Sequence, residues 1–280
     1  MGSVFDRSIR KLVPSLARLT YNPAFKLLLD APDFVGSLFF PQFRGLPPNH
    51  LRVRIGVGNN IFNNQPWYLT GAKDFWFFAL NQSFIDFNST IVDIGCGCGK
   101  FAYHLRDYDY NGSKFRGKYV GIDIDTEMLS WCRGHFDSER FAFHLSSHAS
   151  KVYNDSGTGE PYTLPLAPDT VNMVFSTSLF THLLEPEILN YMSESFRVLI
   201  PGAVMVMNCF LMDYPPYTFG GRHTFRFKMG NAFVESLKLP EAAVAYESQH
   251  LFDLAARIGF RSSELVVAPG SGQPVLVCKK

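Results

Sequence analysis

A glycine-rich turn that directly follows a short apolar run constrains the fold of this chain more than any other feature. Residues 90–94 are mostly apolar, and residues 93–99 read Asp-Ile-Gly-Cys-Gly-Cys-Gly. Parallel strands that are covered on both faces are apolar along most of their length. Glycines at alternate positions permit a sharp turn and a close approach of the backbone to a ligand. The sequence therefore predicts a ligand-binding loop at the end of a buried parallel strand.

Predicted strands and helices alternate from this turn to the C-terminus. Further strands are expected at residues 119–124, 141–145, 171–176, 203–212, 263–267 and 274–278, with residues 201–202 (Pro-Gly) as a stop before the fifth strand. Helices are expected from Pro66 and at residues 100–106, 126–132, 186–199 and 250–258. Such alternation indicates an α/β protein with a Rossmann-like, doubly wound, mostly parallel sheet of seven strands.

The pattern divides the chain into two parts. Residues 1–64 are predicted to be a helical N-terminal extension and lead-in loop, in which residues 51–57 form a short extended piece. Residues 65–280 form the main domain, with an insertion at about 213–249 that breaks the alternation. This insertion is interpreted as a substrate lid, because loops at the ligand edge usually shape the pocket, or as an exposed loop anchored by its aromatic rings. The lid candidates are Tyr214, Tyr217, Phe219, Arg222, His223, Phe225 and Phe227.

Composition narrows the class of protein. The chain has 280 residues, of which 46% are hydrophobic and 18% charged, as in soluble globular proteins. Its net charge of +1 gives no basic field for nucleic acid. The five cysteines are scattered, and one residue between Cys96 and Cys98 is too short a spacing for a structural zinc pair. We therefore expect a cytoplasmic protein without a metal site.

Residues 4–29 carry apolar side chains at helical spacing with basic residues between them. The apolar positions are Phe5, Ile9, Leu12, Leu16 and Leu19, and the basic ones are Arg7, Arg10, Lys11 and Arg18. One or two amphipathic helices, interrupted near Pro14, are predicted. They could cap an apolar surface of the domain, or they could make weak contact with a membrane surface. No feature of the sequence predicts an oligomeric state.

A second acid, Asp123, lies at the end of the next predicted strand, 24 residues after Gly99. A carboxylate at this position can accept hydrogen bonds from both ribose hydroxyls of an adenosyl ligand. Residues 97–102 also satisfy the loose dinucleotide pattern, but Asp93 would repel a pyrophosphate. The same acid would attract the ammonium and sulfonium cations of S-adenosylmethionine. The sequence thus favours this methyl donor, with an NAD-dependent Rossmann oxidoreductase and a ligand-free turn as alternatives.

Several segments resemble the motifs of class I S-adenosylmethionine-dependent methyltransferases. Residues 91–105 resemble motif I, residues 119–129 the second motif, and residues 170–184 with 197–202 the later ones. The likeness is closest to bacterial small-molecule and glycan-type members, whose Pro-Pro-x-x-Leu-Arg-x-Arg lead-in is matched by residues 47–54. The resemblance covers about residues 65–280. It implies a Rossmann-like sheet with an antiparallel last strand, S-adenosylmethionine as the cofactor, and methyl transfer as the activity.

The resemblance also implies roles for individual residues. Asp93 and the loop of Gly95, Cys96, Gly97 and Gly99 would hold the methionine end of the cofactor, while Asp123 would bind ribose, Ile124 would pack on adenine and Ser176 would face the methionine portion. Relatives usually have an aspartate in the loop after the third strand. Here Ser146-Ser147-His148 stands in that place, so Ser147 and His148 would face the adenine. Asn172 also replaces an aspartate that relatives favour.

A histidine suggests how the acceptor of the methyl group could be activated. Methyl transfer is an in-line displacement, and a hydroxyl acceptor benefits from a base that takes its proton. His182 follows the fourth predicted strand at the ligand edge, with His148 and His223 as further candidates. Alternatively, His182 only hydrogen-bonds its own loop. We expect O-methylation of a small-molecule, sugar or lipid-like acceptor, with a catalytically silent S-adenosylmethionine-binding module as the alternative.

Overall fold

The computed structural model of the chain describes residues 19–56, 59, 65–147, 161–214, 223–267 and 274–280. Its helices are α1 Pro23–Phe39, α2 Asn49–Arg54, α3 Gln65–Asn81, α4 Lys100–Arg106, α5 Thr126–His135, α6 Glu185–Val198 and α7 Ser248–Ile258. Its strands are β1 Thr90–Ile94, β2 Asp109–Tyr110, β3 Ser113–Lys114, β4 Lys118–Asp123, β5 Phe141–Leu145, β6 Val171–Ser176, β7 Leu199–Asn208, β8 Phe210–Leu211, β9 Phe227–Met229, β10 Ala232–Val234, β11 Val244–Tyr246, β12 Ser262–Val267 and β13 Pro274–Lys279. None of the helices in these ranges is long and apolar enough to cross a membrane.

A seven-stranded sheet in the order β12-β13-β7-β6-β1-β4-β5 forms the centre of the molecule. The five strands from β7 to β5 pair in parallel, whereas β13 runs antiparallel to both β7 and β12. The predicted doubly wound, mostly parallel sheet with an antiparallel last strand is therefore confirmed. The carboxyl ends of β1, β4 and β6 lie side by side at one edge, which is where ligands of such sheets bind.

The central strands are buried because each of their faces packs on a different apolar cluster. In β1, Val92 belongs to one cluster together with Met192 of α6 and Leu254 of α7. Ile91, on the opposite face, belongs to the other cluster together with Trp76 of α3. Side chains alternate across a strand, so a strand covered on both sides must be apolar at successive positions. This requirement explains why β1 could be located from sequence.

Two local predictions are wrong. Residues 51–57 were expected to be extended, but Asn49–Arg54 is helix α2. Leucine and valine alternate with arginines in this segment, which is the pattern of a strand with one solvent-facing side. Instead Arg52 is fully buried and pairs with Asp33, and Arg54 pairs with Asp125. The alternation of apolar residues and arginines therefore does not mark a strand here, because the arginines are buried with carboxylate partners.

The second error concerns the fifth strand of the main sheet. It was expected at residues 203–212 after a stop at residues 201–202, but β7 starts at Leu199 and runs through Pro201 and Gly202. The pairing of β6 with β7 is irregular between Val171 and Met173, opposite this stretch. Both Pro201 and Gly202 are exposed. A proline is tolerated where a strand begins and its pairing is irregular.

The insertion builds a small sheet of its own. Strands β8, β11, β10 and β9 pair in that order, with β8 and β11 parallel and the other pairs antiparallel. Residues 215–222, which contain Tyr217, Phe219 and Arg222, lie outside the described residues, as do residues 1–18 with Pro14. The described part of the insertion is therefore an ordered element beside the main sheet.

Candidate functional site

The glycine loop after β1 has the backbone conformation that only glycine adopts easily. Gly95, Gly97 and Gly99 have φ angles of +83°, +55° and +75°. The amides of Gly95 and Cys96 donate to the carbonyl of Ile122 in β4, at 2.8 and 3.0 Å. An L-residue with a side chain is strained in this left-handed region. The loop is thus fixed against the neighbouring strand and cannot easily accept larger residues.

Two side chains from outside the loop confine it. A Cβ atom built on Gly97 would lie 2.5 Å from Cγ2 of Ile55, the residue after α2. A Cβ atom on Gly95 would lie 3.2 Å from the Cβ of Leu179, in the segment after β6. Glycine is therefore needed at these positions for space as well as for conformation. The loop with its two confining residues forms a narrow backbone-lined cradle.

Asp93 lies at the base of this cradle with one oxygen unpaired. Its side chain is fully buried, and Tyr119 donates a hydrogen bond to Oδ2. Oδ1 has no hydrogen-bond partner among the described residues. Burial raises the pKa of Asp93 to about 8, although the Tyr119 hydrogen bond acts in the opposite direction. A buried carboxylate with an open oxygen favours a cationic partner, so it fits the ammonium or sulfonium group of S-adenosylmethionine.

Asp123, at the end of β4, connects the cradle to helix α5. Its Oδ2 accepts a hydrogen bond from the amide of Gly97 at 2.7 Å, and Oδ1 accepts one from the amide of Asp125 at 2.9 Å. Burial raises the pKa of Asp123 in spite of these hydrogen bonds. Each carboxylate oxygen retains a second lone pair. The carboxylate can therefore hold the loop in place and still accept hydrogen bonds from ribose hydroxyls.

The remaining cofactor candidates are distributed around this edge. Ser176, at the end of β6, is buried, and its hydroxyl has no partner within the described ranges. Ile124 is half-buried and Ser147 is exposed. The amide of Ser146 donates to the carbonyl of Asp123 at 2.8 Å, which places the turn after β5 beside the ribose candidate. His148 lies outside the described residues.

The sequence analysis missed a connection between this site and the N-terminal strap, by which we mean residues 19–56. Arg54 reaches Asp125 at 3.0 Å and Glu127 at 2.7 Å, and its guanidinium lies 3.7 Å over the ring of Tyr21. The hydroxyl of Tyr21 donates to Asp125 at 2.8 Å. Burial opposes ionisation of Glu127, yet hydrogen bonds from Lys26 and Arg54 lower its pKa to about 2. The available signal was the closely spaced acids after β4 opposite an Arg-x-Arg lead-in.

His182 lies in a short 3₁₀ helix, Phe180–His182, that follows β6. Its Nδ1 donates to the carbonyl of Glu241 in the insertion at 2.9 Å, so the ring is oriented by a backbone group. Burial lowers the pKa of His182, while the carbonyls of Glu241 and Ala242 act against this shift. The imidazole is consequently neutral near pH 7, with the proton on Nδ1.

His223 lies in an aromatic cluster. Its ring centroid is 5.2 Å from that of Phe210 and 5.3 Å from that of Phe225. This cluster also contains Ala243 and Ala245 of the small sheet. The location of His223 therefore matches a residue that packs within the insertion.

All five cysteines are buried as free thiols. Burial raises the pKa of Cys98 to about 12 and that of Cys278 to about 11, and it also raises the pKa of Cys96, Cys132 and Cys209. Across the described ranges, no group of three or more His, Cys, Asp or Glu side chains is arranged to hold a metal ion. The thiols accordingly act as small apolar side chains in the core.

Comparison with known proteins gives a family for the central part of the chain and solved structures with a similar fold. Residues 92–207 match the family described as methyltransferase domain. A protein of Pyrococcus horikoshii is 17% identical with a TM-score of 0.52, covering 81% of this chain and 97% of its own. An S-adenosylmethionine-dependent methyltransferase of Mesorhizobium loti is 13% identical with a TM-score of 0.50, covering 76% and 100%. At these identities the structures establish the likeness of the fold.

Proposed function

We propose that this chain binds S-adenosylmethionine and methylates a hydroxyl group of a small-molecule, sugar or lipid-like acceptor, because residues 92–207 match the methyltransferase domain family. The observation that carries the proposal is the open Oδ1 of Asp93 beneath a loop of three left-handed glycines. A buried carboxyl group, which ionises more easily beside a positive charge, suits a ligand that is cationic and carries no phosphate. A pyrophosphate ligand would be repelled at this position.

Different residues at the sheet edge would bind different parts of the cofactor. The Gly95–Gly99 loop and Asp93 would hold the methionine portion, and Ser176 would face it with its unpaired hydroxyl. Asp123 would accept hydrogen bonds from the ribose, and the half-buried Ile124 would pack against the adenine. The cofactor supplies an electrophilic methyl group on a sulfonium. The chain's own task is to orient this group towards the acceptor and to exclude water.

A neutral, oriented imidazole supports a hydroxyl acceptor. A hydroxyl must lose its proton as the new bond forms, and His182 remains unprotonated near neutral pH because burial lowers its pKa. The Glu241 carbonyl binds the Nδ1 proton, which leaves the lone pair on Nε2. The described part of the insertion lies beside this histidine and would form a wall of the acceptor pocket. His182 would therefore act as the base and the insertion as the substrate lid.

Calorimetric titration of the full chain with S-adenosylmethionine, S-adenosylhomocysteine and NAD tests the cofactor assignment. The two adenosyl ligands should bind at micromolar levels and NAD should not. Asp123→Ala should weaken their binding by about 1.5–3 kcal/mol, the scale of a lost charge-assisted hydrogen bond. Asp109→Ala, on the exposed hairpin of β2 and β3, is the matched control and should bind normally. Saturable NAD binding without adenosyl binding would overturn the assignment.

Turnover requires a separate measurement. Release of S-adenosylhomocysteine should be followed while hydroxyl-bearing small molecules, sugars and lipid-like compounds are offered in turn. A hydroxyl-bearing acceptor that is methylated on oxygen supports the proposal. Transfer only to nitrogen or carbon would contradict the hydroxyl assignment. Tight cofactor binding without any acceptor would favour a catalytically silent binding module.

A further inference from the structure

The amphipathic helix α1 is oriented with its apolar side outwards. Six of its large apolar side chains are between 52% and 74% exposed: Leu27, Leu28, Phe34, Val35, Leu38 and Phe39. They form three adjacent pairs whose members recur after seven and then four positions, which places all six on one face of the helix. No residue of α1 is buried. In a helix that packs on its own domain, this face would be turned towards the core.

Polar contacts on the inner side fix this orientation. Lys26 pairs with Glu127 at 2.6 Å, Asp30 accepts a hydrogen bond from His50 Nδ1 at 2.6 Å, and Asp33 pairs with the fully buried Arg52. Rolling α1 to bury its apolar face would break all of these pairs and leave Arg52 buried without a counter-charge. The outward apolar face is therefore part of the folded state.

An apolar groove continues this face beyond the end of the helix. It lies between α1 and the 3₁₀ turn Pro41–Phe43, and its volume is about 620 Å³. Apolar side chains line it almost entirely, among them Leu28, Pro32, Val35, Phe39, Phe40 and Phe43. A groove of this character accepts hydrocarbon and offers nothing to a polar ligand.

One described cation lies beside the apolar face, and the sequence before the described residues is basic. Arg44 is exposed beside the C-terminal end of α1, where it donates to the carbonyls of Ser37 and Leu38, and no acidic partner is recorded for it within the described ranges. Residues 1–18 contain four basic residues and a single acid. The acids of α1, Asp30 and Asp33, face inwards, so they place no negative charge on its outer, apolar face.

We propose that α1 docks on an anionic phospholipid surface. The helix would lie in the plane of the interface with its apolar face among the acyl chains, the groove would take up hydrocarbon, and Arg44 would contact the headgroups. Apolar burial and attraction to anionic lipid act together in this mode of binding. This docking is independent of the methyl-transfer chemistry.

Vesicle flotation of the full chain tests the proposal. The protein should float with vesicles of phosphatidylcholine and phosphatidylserine, should float less with phosphatidylcholine alone, and should dissociate as salt is raised. Phe34→Glu/Leu38→Glu should lower the partition at least ten-fold. Leu237→Glu is the matched control, because Leu237 and Leu38 are both 57% exposed, and it should partition normally. Thermal unfolding of each variant verifies that it is folded.

Other outcomes would overturn the proposal. Absence of flotation with the phosphatidylserine vesicles would do so directly. A dimer in sedimentation equilibrium that Phe34→Glu/Leu38→Glu dissociates, without any vesicle binding, would assign the face to a second copy of the chain. Flotation that survives this double substitution but is lost when residues 1–18 are removed would assign binding to the basic segment alone.

Discussion

Asp93 and Asp123 approach the same loop but are paired in different ways. Both oxygens of Asp123 accept backbone amides, so its charge is compensated within the protein. Among the described residues, Asp93 has a single partner, Tyr119, and an open oxygen. Its negative charge is stabilised only when a cation arrives, because burial removes the water that would otherwise solvate it. We therefore expect Asp123 to preserve the shape of the site and Asp93 to supply its electrostatic selectivity.

Asp93→Asn should stabilise the cofactor-free protein at high pH and weaken the binding of the cofactor. Burial raises the pKa of Asp93 to about 8 from the 3.8 of an unperturbed aspartate, so the folded chain retains a proton that the unfolded chain releases. The stabilising contribution of this proton is complete below about pH 4 and is lost as the pH rises through about 8. Removing the ionisable group should add about 1–3 kcal/mol above that pH, the scale of an unpaired buried group.

The measurement is the melting temperature between pH 5 and pH 9 together with S-adenosylmethionine titration, at pH values chosen to follow this transition. Asp74→Asn, on an exposed position of α3, is the matched control. If Asp93→Asn melts with the same pH dependence as the parent protein, Asp93 does not titrate as described. If it also binds the cofactor normally, its electrostatic role is excluded.

His182→Ala distinguishes a base from a residue that only braces its loop. A base role predicts that kcat falls about 100-fold, the usual scale of general-base catalysis, while cofactor affinity hardly changes. Turnover of the parent protein should fall only at pH values below the ordinary histidine pKa of 6.5, because burial lowers the pKa of His182.

Bracing of the insertion through Glu241 predicts a different result. His182→Ala would then lower the melting temperature or raise KM, and the pH profile of kcat would be unchanged. His135→Ala, at the exposed end of α5, should alter neither quantity and serves as the control.

At the scale of elements, the N-terminal strap and the glycine loop form one packed unit. Ile55 contacts the loop at Gly97, and Arg54 binds the carboxylates of Asp125 and Glu127 just beyond the ribose candidate. Asp125 is also the N-cap of α5, where it accepts the amides of Glu127 and Met128. The side chains of Arg54 and Asp125 are largely buried, so breaking their pair would leave a buried charge without its partner. The strap is therefore expected to stay closed over the loop when the cofactor is absent.

Gly97→Ala and Gly230→Ala separate the effect of conformation from that of contact. Both glycines have left-handed φ angles, +55° and +62°, so both substitutions should cost about 1–2 kcal/mol of unfolding free energy. Only at Gly97 would the new Cβ also meet Ile55, whereas nothing lies within 4 Å at Gly230. Gly97→Ala should therefore be the more destabilising substitution in urea unfolding.

Ile55→Ala provides the test of this explanation. In the double variant with Gly97→Ala the extra loss should be largely recovered, since the two residues are in direct contact and their effects should not add. Equal losses of unfolding free energy for Gly97→Ala and Gly230→Ala would show that Ile55 moves aside at no measurable cost.

For the whole molecule, the features that could be predicted from sequence are those that produce a pattern among residues near each other in the chain. Residues 90–94 were assigned correctly as a strand because burial on both faces requires an apolar run. Asp93 and Asp123 could be proposed as site residues because strand ends of a parallel sheet meet at one edge. Their hydrogen bonding was not predictable, since Tyr119 reaches Asp93 across the sheet.

The errors have the opposite origin. Helix α2 was not predicted because its arginines alternate with apolar residues as in a strand. These arginines are buried, and they pair with carboxylates of α1 and of the N-terminus of α5. The sequence left two interpretations of the N-terminal helices open, a cap on the domain and a contact with a membrane surface, because the apolar stripe of a helix can face either. The contact of Ile55 with Gly97 joins residues 42 positions apart and leaves no local pattern in the sequence.

The five buried thiols allow the local opening of the chain to be measured through the rate at which each thiol is labelled. Because alkylating reagents react with exposed thiolates, native protein should react with iodoacetamide only slowly at neutral pH, and rapid reaction at all five sites should require denaturant. Slow labelling would then report how often each region opens, with Cys98 sampling the glycine loop and Cys278 the last strand. Mass spectrometry of peptides over time would rank these regions by stability. A bound cofactor should slow the labelling of Cys98 and leave that of Cys278 unchanged.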